Sequence, residues 1–276
     1  MTDIPLADGA GKLHRYADFP SENITPRPVD VWCPPGYAHS ETSRYPVLYM
    51  QDGQNLFESS NAYAGIDWGV DRAIQRLVSY NQIKGAIVVG VWNSSQRWRE
   101  YMPQQALELP QAMELKETFA QANGGLPLSD QYLSFLVKEL KPFIDANFRT
   151  LPGQGHTFIM GSSMGGLLSL YALEQYPELF TGAGCLSTHW PAGGDLLVDY
   201  LGEHLPDPAT HKLYFDFGTK TMDAEYEPYQ QRMDTFLQAA GYQAEKNWTT
   251  RKFGGAEHSE VAWRARVHIP LLFLLG

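Results

Sequence analysis

The chain has 276 residues, 43% of them hydrophobic and only 19% charged, enough apolar matter for one large core and too little charge for a disordered chain. Its 21 basic and 31 acidic residues leave a net charge of −10, which argues against a phosphate-backbone partner, so no nucleic acid is expected as ligand. No stretch approaches about 18 uninterrupted apolar residues, so no membrane-spanning segment is expected either.

The opening Met1-Thr2-Asp3-Ile4-Pro5 has no basic region followed by an apolar one. The chain as it stands is therefore expected in the cytoplasm, and a trimmed chain would belong to the periplasm or outside the cell. Residues 27–33 read as a strand stopped by Pro34-Pro35-Gly36, and 46–51 as a second strand running into the turn signal Asp52-Gly53. Val70, Ile74, Leu77 and Val78 recur at helical spacing and predict an amphipathic helix over 67–80. The continuous apolar run 85–92 predicts a strand buried on both faces.

Residues 104–128 follow Pro103 and hold Pro110, Pro127 and Gly124-Gly125 around a polar helical piece. They read as an excursion from the sheet, either a lid or a plain surface insertion. Leu133, Val137, Leu140 and Ile144 mark the next helix, with Pro142 expected to distort it. An apolar strand at 156–160 and a helix from Leu167 come next. Strands at 182–187 and 211–218, a long helix over 224–242, a strand at 243–253 and a terminal helix over 260–274 bent at Pro270 complete the series. From Val47 onward strands alternate with helices and no linker intervenes. The expectation is one α/β domain over 1–276, with a mostly parallel central sheet and helices on both faces. Cys33 and Cys185 lie far apart in apolar runs, without metal-type spacing, and read as buried free thiols.

The chemistry is expected at Gly161-Ser162-Ser163-Met164-Gly165-Gly166, between a strand pattern and a helix pattern. That is the G-x-S-x-G nucleophile elbow, which lifts a serine onto a strained turn above a parallel sheet. Ser163 is central and reads as the nucleophile; Ser162 is the weaker candidate. A serine hydroxyl needs a base, and the base needs an orienting carboxylate, which follow the serine in the order acid, then histidine. His258, in the loop Gly254-Gly255-Ala256-Glu257-His258-Ser259 between the last strand and helix, has the order and place of the base. Asp223, beyond a strand end, is favoured as the acid over Asp216 within that strand and over Glu225 or Glu227. The oxyanion hole is expected from the amides of Met164 and Gln54, the latter in Asp52-Gly53-Gln54-Asn55 after an early strand. Substrate-binding candidates are Arg97 and Arg99, after the strand ending at Trp92, and Trp92, His189 and Trp190, with Tyr226 as a further aromatic. An ion pair of these arginines with Glu100 is the plainer alternative. No metal and no cofactor are expected: the 52–55 loop lacks the spaced carboxylates of a calcium loop.

Three runs together resemble the putative-esterase family of α/β-hydrolases, which includes enterobactin-type siderophore esterases, feruloyl esterase domains, S-formylglutathione hydrolases and mycolyltransferases. They are residues 45–57 around Asp52-Gly53-Gln54-Asn55, the elbow at 161–166, and Gly255-Ala256-Glu257-His258-Ser259-Glu260. The resemblance covers about residues 27–275 and implies the α/β-hydrolase fold, with a mostly parallel central sheet and helices on both faces, and a serine carboxylic-ester hydrolase acting through an acyl-enzyme. It gives Ser163 and His258 the roles of nucleophile and base, and Asp223 that of the acid. Family members often place the acid two residues after a Gly-Thr pair, whereas Asp223 stands four after Thr219, and some siderophore-esterase relatives manage with a serine–histidine dyad. The alternatives are an acyltransferase using the same triad and a non-catalytic binding protein of this fold. The expected partner is a small-molecule ester; the oligomeric state stays open.

Overall fold

The computed structural model describes residues 1–6 and 10–276. Among the described residues nine strands form one sheet: β1 (Thr2–Ile4), β2 (Lys12–Phe19), β3 (Arg27–Cys33), β4 (Val47–Met50), β5 (Ile87–Val91), β6 (Thr157–Ser162), β7 (Gly182–Leu186), β8 (Lys212–Phe217) and β9 (Trp248–Lys252). Their order is β1-β2-β3-β5-β4-β6-β7-β8-β9. β1, β2, β3 and β5 pair antiparallel, and from β5 to β9 every pairing is parallel. The helices are α1 (Val70–Ser79), α2 (Arg97–Tyr101), α3 (Met113–Asn123), α4 (Ser129–Phe135), α5 (Lys141–Asn147), α6 (Met164–Gln175), α7 (Gly194–Glu203), α8 (Glu227–Ala239), α9 (Glu260–Arg266) and α10 (His268–Leu275).

Side chains alternate across the strands into two cores. Val47, Tyr49 and Ile159 face a core shared with α4, α6, α7 and α8, while Leu48, Met50 and Met160 face one shared with α1, α9 and α10. Strands β4, β5 and β6 are buried along their whole length, which is why they read as unbroken apolar runs. The mostly parallel sheet with helices on both faces is the architecture expected.

The departures have local causes. The helix through Leu133–Ile144 stays continuous but widens into a π-helical turn at Leu136–Leu140 before Pro142, the distortion expected of that proline. Proline has no N–H, and its ring collides with the carbonyl four residues earlier, here Lys138. The terminal helix is two helices: Pro270 stands four residues after Arg266, where α9 ends. The last strand begins only at Trp248, because residues 243–247 close a turn in which the Gln243 N–H donates to Asn247 Oδ1 at 2.7 Å. The antiparallel strands β1, at the sheet edge, and β2, between β1 and β3, and the helices α2 and α7 are not legible as elements in the sequence. Cys33 and Cys185 are buried and unpaired. Among the described residues no helix is long and apolar enough to cross a membrane.

Glu174, on α6, is half-buried as a residue, yet both carboxylate oxygens lie out of contact with solvent and without a hydrogen-bond partner. Burial drives its carboxyl well above the ordinary range. A folded-state pKa above the unfolded one means that the native state holds its proton more tightly. Stability is then fully present below the unfolded value and lost as pH rises towards the folded one. Glu174→Gln is expected to remove that decline, so that the variant melts above the parent at pH 8 and the gap narrows towards pH 4. Identical melting curves across that range would refute the account.

Candidate active site

The parallel half of the sheet sets where chemistry can gather. β6, β8 and β9 run the same way, so the segments that leave their C-terminal ends emerge on one side. Those segments carry Ser163, Asp223 and His258.

Ser163 links β6 to α6 at φ 57°, ψ −124°, a strained conformation for a residue with a side chain. The turn is held from below: the Ser163 N–H donates to the Leu186 carbonyl at 2.8 Å, and the Ser163 carbonyl accepts the His189 N–H at 3.2 Å. It also requires glycine. A Cβ on Gly161 would lie 2.7 Å from the Gly165 backbone, so strand and helix pass at this distance only without one. Ser162 is the last residue of β6 and 4% exposed, whereas Ser163 is half-buried at the turn. The Met164 N–H opens α6, where it has no acceptor within the helix.

Asp52-Gly53-Gln54-Asn55 leaves β4 beside this turn. Asp52 is left-handed, at φ 54°, a conformation aspartate tolerates better than most residues. Its carboxylate accepts Arg97 Nε at 2.7 Å, Arg97 Nη2 at 2.8 Å and Asn93 Nδ2 at 2.6 Å. A Cβ on Gly53 would meet the Gly90 backbone at 2.4 Å, so the loop lies flat against the end of β5. Gln54 sits in a short 3-10 helix, Gly53–Asn55, and its Oε1 accepts the Asn93 N–H at 3.2 Å. Its own N–H, like that of Met164, belongs to a first turn with no acceptor inside the element.

His258 and Asp223 meet directly, with Nδ1 and Oδ1 2.6 Å apart and side chains 5% and 0% exposed. The second carboxylate oxygen accepts the Gly218 N–H at 2.6 Å and the Ser187 hydroxyl at 2.7 Å. Burial by itself would push the Asp223 carboxyl up; the hydrogen bonds from His258, Ser187 and Gly218 outweigh it and hold the group below the usual carboxylate range. Asp216, the alternative within the strand, instead accepts Arg266 Nη2 at 2.9 Å and the Tyr214 hydroxyl at 3.1 Å.

Aromatic rings surround His258. Trp263 lies edge-to-face at 4.9 Å, Tyr226 at 5.8 Å and His189 at 6.4 Å between centroids. His189 Nδ1 is 2.6 Å from the Tyr226 hydroxyl. Burial, with the charges of His258 and Arg97 nearby, brings the His189 pKa down to about 4, so its ring is neutral near pH 7. Trp98, 46% exposed, stands edge-on to His189 at 5.6 Å.

The substrate-binding candidates divide. His189 and Arg97 lie beside the Ser163 turn and the Asp52 loop. The other three are occupied elsewhere. Trp92 donates to Asp30 at 3.0 Å under the Arg15 guanidinium, on the antiparallel side of the sheet. Arg99 holds the Leu126 carbonyl and Gln96. Trp190 is 1% exposed and stacks on Phe215. The arginines do not pair with Glu100: it is bound by Arg27 at 2.6 and 2.8 Å, and Arg97 by Asp52. Trp98 was passed over between two arginines. The available signal was spacing: Arg97, Glu100 and Tyr101 turn inward at i, i+3 and i+4, which leaves Trp98 facing out. Ser187, Trp263 and Arg266 were also missed, since hydrogen bonds between residues so far apart leave no trace in local sequence. Among the described residues no three His, Cys, Asp or Glu side chains converge as a metal site would require.

The segment 104–128 is ordered by its own helix α3 and fastened at both ends. Gln105 N–H donates to the Tyr171 hydroxyl at 3.3 Å, and Leu128 N–H to the Arg99 carbonyl at 2.7 Å. Its Leu115 reaches Gly193, just beyond His189 and Trp190.

Comparison with known proteins places the family and the fold. The model of a family described as putative esterase matches residues 23–269. An uncharacterised protein of Bacillus subtilis, YbbA, is 25% identical over 165 residues, 59% of this chain and 58% of its own length. An endo-1,4-beta-xylanase/feruloyl esterase of Xylanibacter ruminicola is 27% identical over 239 residues, 86% of this chain but 27% of that protein. The chain thus spans just over half of the first relative and about a quarter of the second. Among solved structures, a ferulic acid esterase superposes with a TM-score of 0.69 at 17% identity, covering 96% of this chain and 97% of that one. The enterobactin esterase FES of Shigella flexneri, solved in the presence of enterobactin, gives 0.67 at 18%, covering 98% and 58%. The siderophore hydrolase EstA of Aspergillus nidulans gives 0.68 at 16%, covering 100% and 99%. At these identities the superpositions establish the α/β-hydrolase-type fold.

Proposed function

The chain belongs to the putative esterase family, and from that premise we propose that it hydrolyses carboxylic esters through a covalent acyl-serine. The observation that carries the reading is the His258–Asp223 bond of 2.6 Å, held at the same end of the sheet as the strained Ser163 turn. In this reading Ser163 Oγ attacks the ester carbonyl carbon as its proton passes to His258 Nε2, and the carbonyl electron pair moves onto oxygen. The amides of Met164 and Gln54 receive that oxyanion. Collapse breaks the bond to the alcohol, which leaves with the proton from His258. Water then repeats the sequence on the acyl group and releases the acid. Asp223 keeps the imidazole proton on Nδ1 throughout.

The exposed face of Trp98 and the neutral His189 beside it favour an ester with a flat aromatic portion. The segment 104–128, fastened next to this wall, would border the pocket and set selectivity. A fluorophosphonate probe is expected to label Ser163. Across p-nitrophenyl, feruloyl, acetyl-sugar and siderophore-lactone esters, the aromatic ones should turn over fastest. Exchanging 104–128 for a short Gly/Ser linker should reorder that ranking more than it slows a minimal acetyl ester. No label at Ser163 and no turnover on any ester would overturn the reading, and product appearing only with an added alcohol would replace hydrolysis by acyl transfer.

A further inference from the structure

Ser187 stands one residue beyond β7, with no exposed surface, at φ 42°. A side-chain-bearing residue at positive φ in a packed core is uncommon where glycine would avoid the cost, so what its side chain does there is the question. Its Oγ lies 3.0 Å from Trp263 Nε1, 2.9 Å from Arg266 Nη2 and 2.7 Å from Asp223 Oδ2.

A hydroxyl has one proton to give and two lone pairs to receive. Indole and guanidinium nitrogens can only donate, so Trp263 and Arg266 fill both lone pairs. We propose that Ser187 is a positioning residue of the reaction: with its acceptor capacity filled by two buried donors, its proton has one direction left and goes to Asp223 Oδ2. The inference rests on the Ser163–His258–Asp223 reading above and adds to it the device that fixes the acid.

The count extends to Asp223. Oδ2 receives the Ser187 hydroxyl and the Gly218 N–H, and Oδ1 faces His258 Nδ1. The two groups on Oδ2 are donors, so that oxygen carries no proton, and their bonds with that of His258 hold the carboxyl below its usual range. Asp223 is therefore ionised, Nδ1 of His258 carries its hydrogen, and Nε2 presents the lone pair a general base needs. Of the titratable groups around the pair, His189 stays neutral, burial raises the Tyr226 hydroxyl beyond ordinary titration, and Glu260, raised by burial and within the field of His258 and Arg97, acts alike in parent and variant. The donors are themselves fixed. Arg266 Nη2 also binds Asp216 Oδ1 at 2.9 Å, its guanidinium lies 4.9 Å from the centre of the Phe253 ring, and Trp263 packs against His258.

The test is Ser187→Gly, which removes the hydroxyl and suits the positive φ. A carboxylate with one donor fewer leaves more charge towards His258, stabilises the imidazolium and raises the histidine pKa. The acid limb of kcat/KM should move to higher pH, and kcat should fall roughly 10- to 100-fold, the range known for the hydrogen-bond partners that orient metal-ligating side chains, with KM little changed. Trp263→Phe keeps a ring against His258 and removes only one donor to Ser187. It should move the limb the same way by less, and it decides the matter if Ser187→Gly does not fold. A structural role alone would scale activity with the folded fraction and leave the limb in place. Both variants keeping the parental acid limb would overturn the proposal. Ser163→Ala, run alongside, separates the two levels. Turnover surviving there sinks the triad reading itself, whereas turnover lost there with the limb unmoved removes only the role of Ser187.

Discussion

Ser163→Ala is expected to abolish nearly all ester hydrolysis and to leave the fold as it is. Loss of a nucleophile that acts with its base costs on the order of 10⁴–10⁶ in kcat, because the remaining members cannot substitute for it. The fold should not respond, since the turn is held by backbone bonds from Ser163 N–H and to its carbonyl, which alanine preserves. The strain at φ 57° is common to both side chains. Ser162→Ala is the paired control. Ser162 ends β6 and is nearly unexposed, so its variant should retain turnover. Initial rates and melting temperatures of the two proteins decide the register: a dead Ser162→Ala beside an active Ser163→Ala would move the nucleophile back by one residue.

The second large effect is expected from Asp223→Asn, and here the surroundings dictate the outcome. The Ser187 hydroxyl and the Gly218 N–H both donate to the Oδ2 position, at 2.7 and 2.6 Å. The amide of an asparagine must turn its oxygen to them, which points its NH₂ at His258 Nδ1. That nitrogen can then only accept, so the imidazole hydrogen moves to Nε2 and the base is lost. A change of this kind costs about 10⁴ in kcat in the best-studied serine triad. The variant should fold, since shape and the two donors are retained, so the measurement is kcat at a melting temperature close to the parent's. Turnover near the parent would mean that histidine acts without the acid, as a dyad. Asp216→Asn should differ in kind. Asp216 is a buried partner of Arg266, and leaving that cation short of its counter-charge should cost about 3–5 kcal/mol of stability, read as a lowered melting temperature.

Periodicity and composition were enough for the α/β series, because strands buried on both faces, such as β5, must be apolar throughout, and helices on a core, such as α1, must repeat their apolar residues at helical spacing. The glycine-framed turn at Ser163 is legible for a similar reason. Gly161 and Gly165 are demanded by a close approach of strand and helix, so local geometry is written into local sequence. The places of His258, in a loop after the last strand, and of Asp223, after β8, follow from the order of the elements. Its place beyond the strand end favours Asp223 over Asp216, but what each meets lay outside the sequence: one faces His258 and the other Arg266. Which arginine met which acid was equally beyond the sequence: Glu100 pairs with Arg27 and Arg97 with Asp52 across 73 and 45 residues of chain. Trp190 and Trp98 look alike as aromatic residues near strand ends, yet one packs on Phe215 and the other opens to solvent beside His189. Local pattern determines which elements form and which face of each is apolar. Partners that meet through the packing of β7, β8 and α9, as Ser187, Asp223, Trp263 and Arg266 do, are selected only when the whole sheet closes, because hydrogen-bond direction is a property of the assembled structure and not of any segment in it.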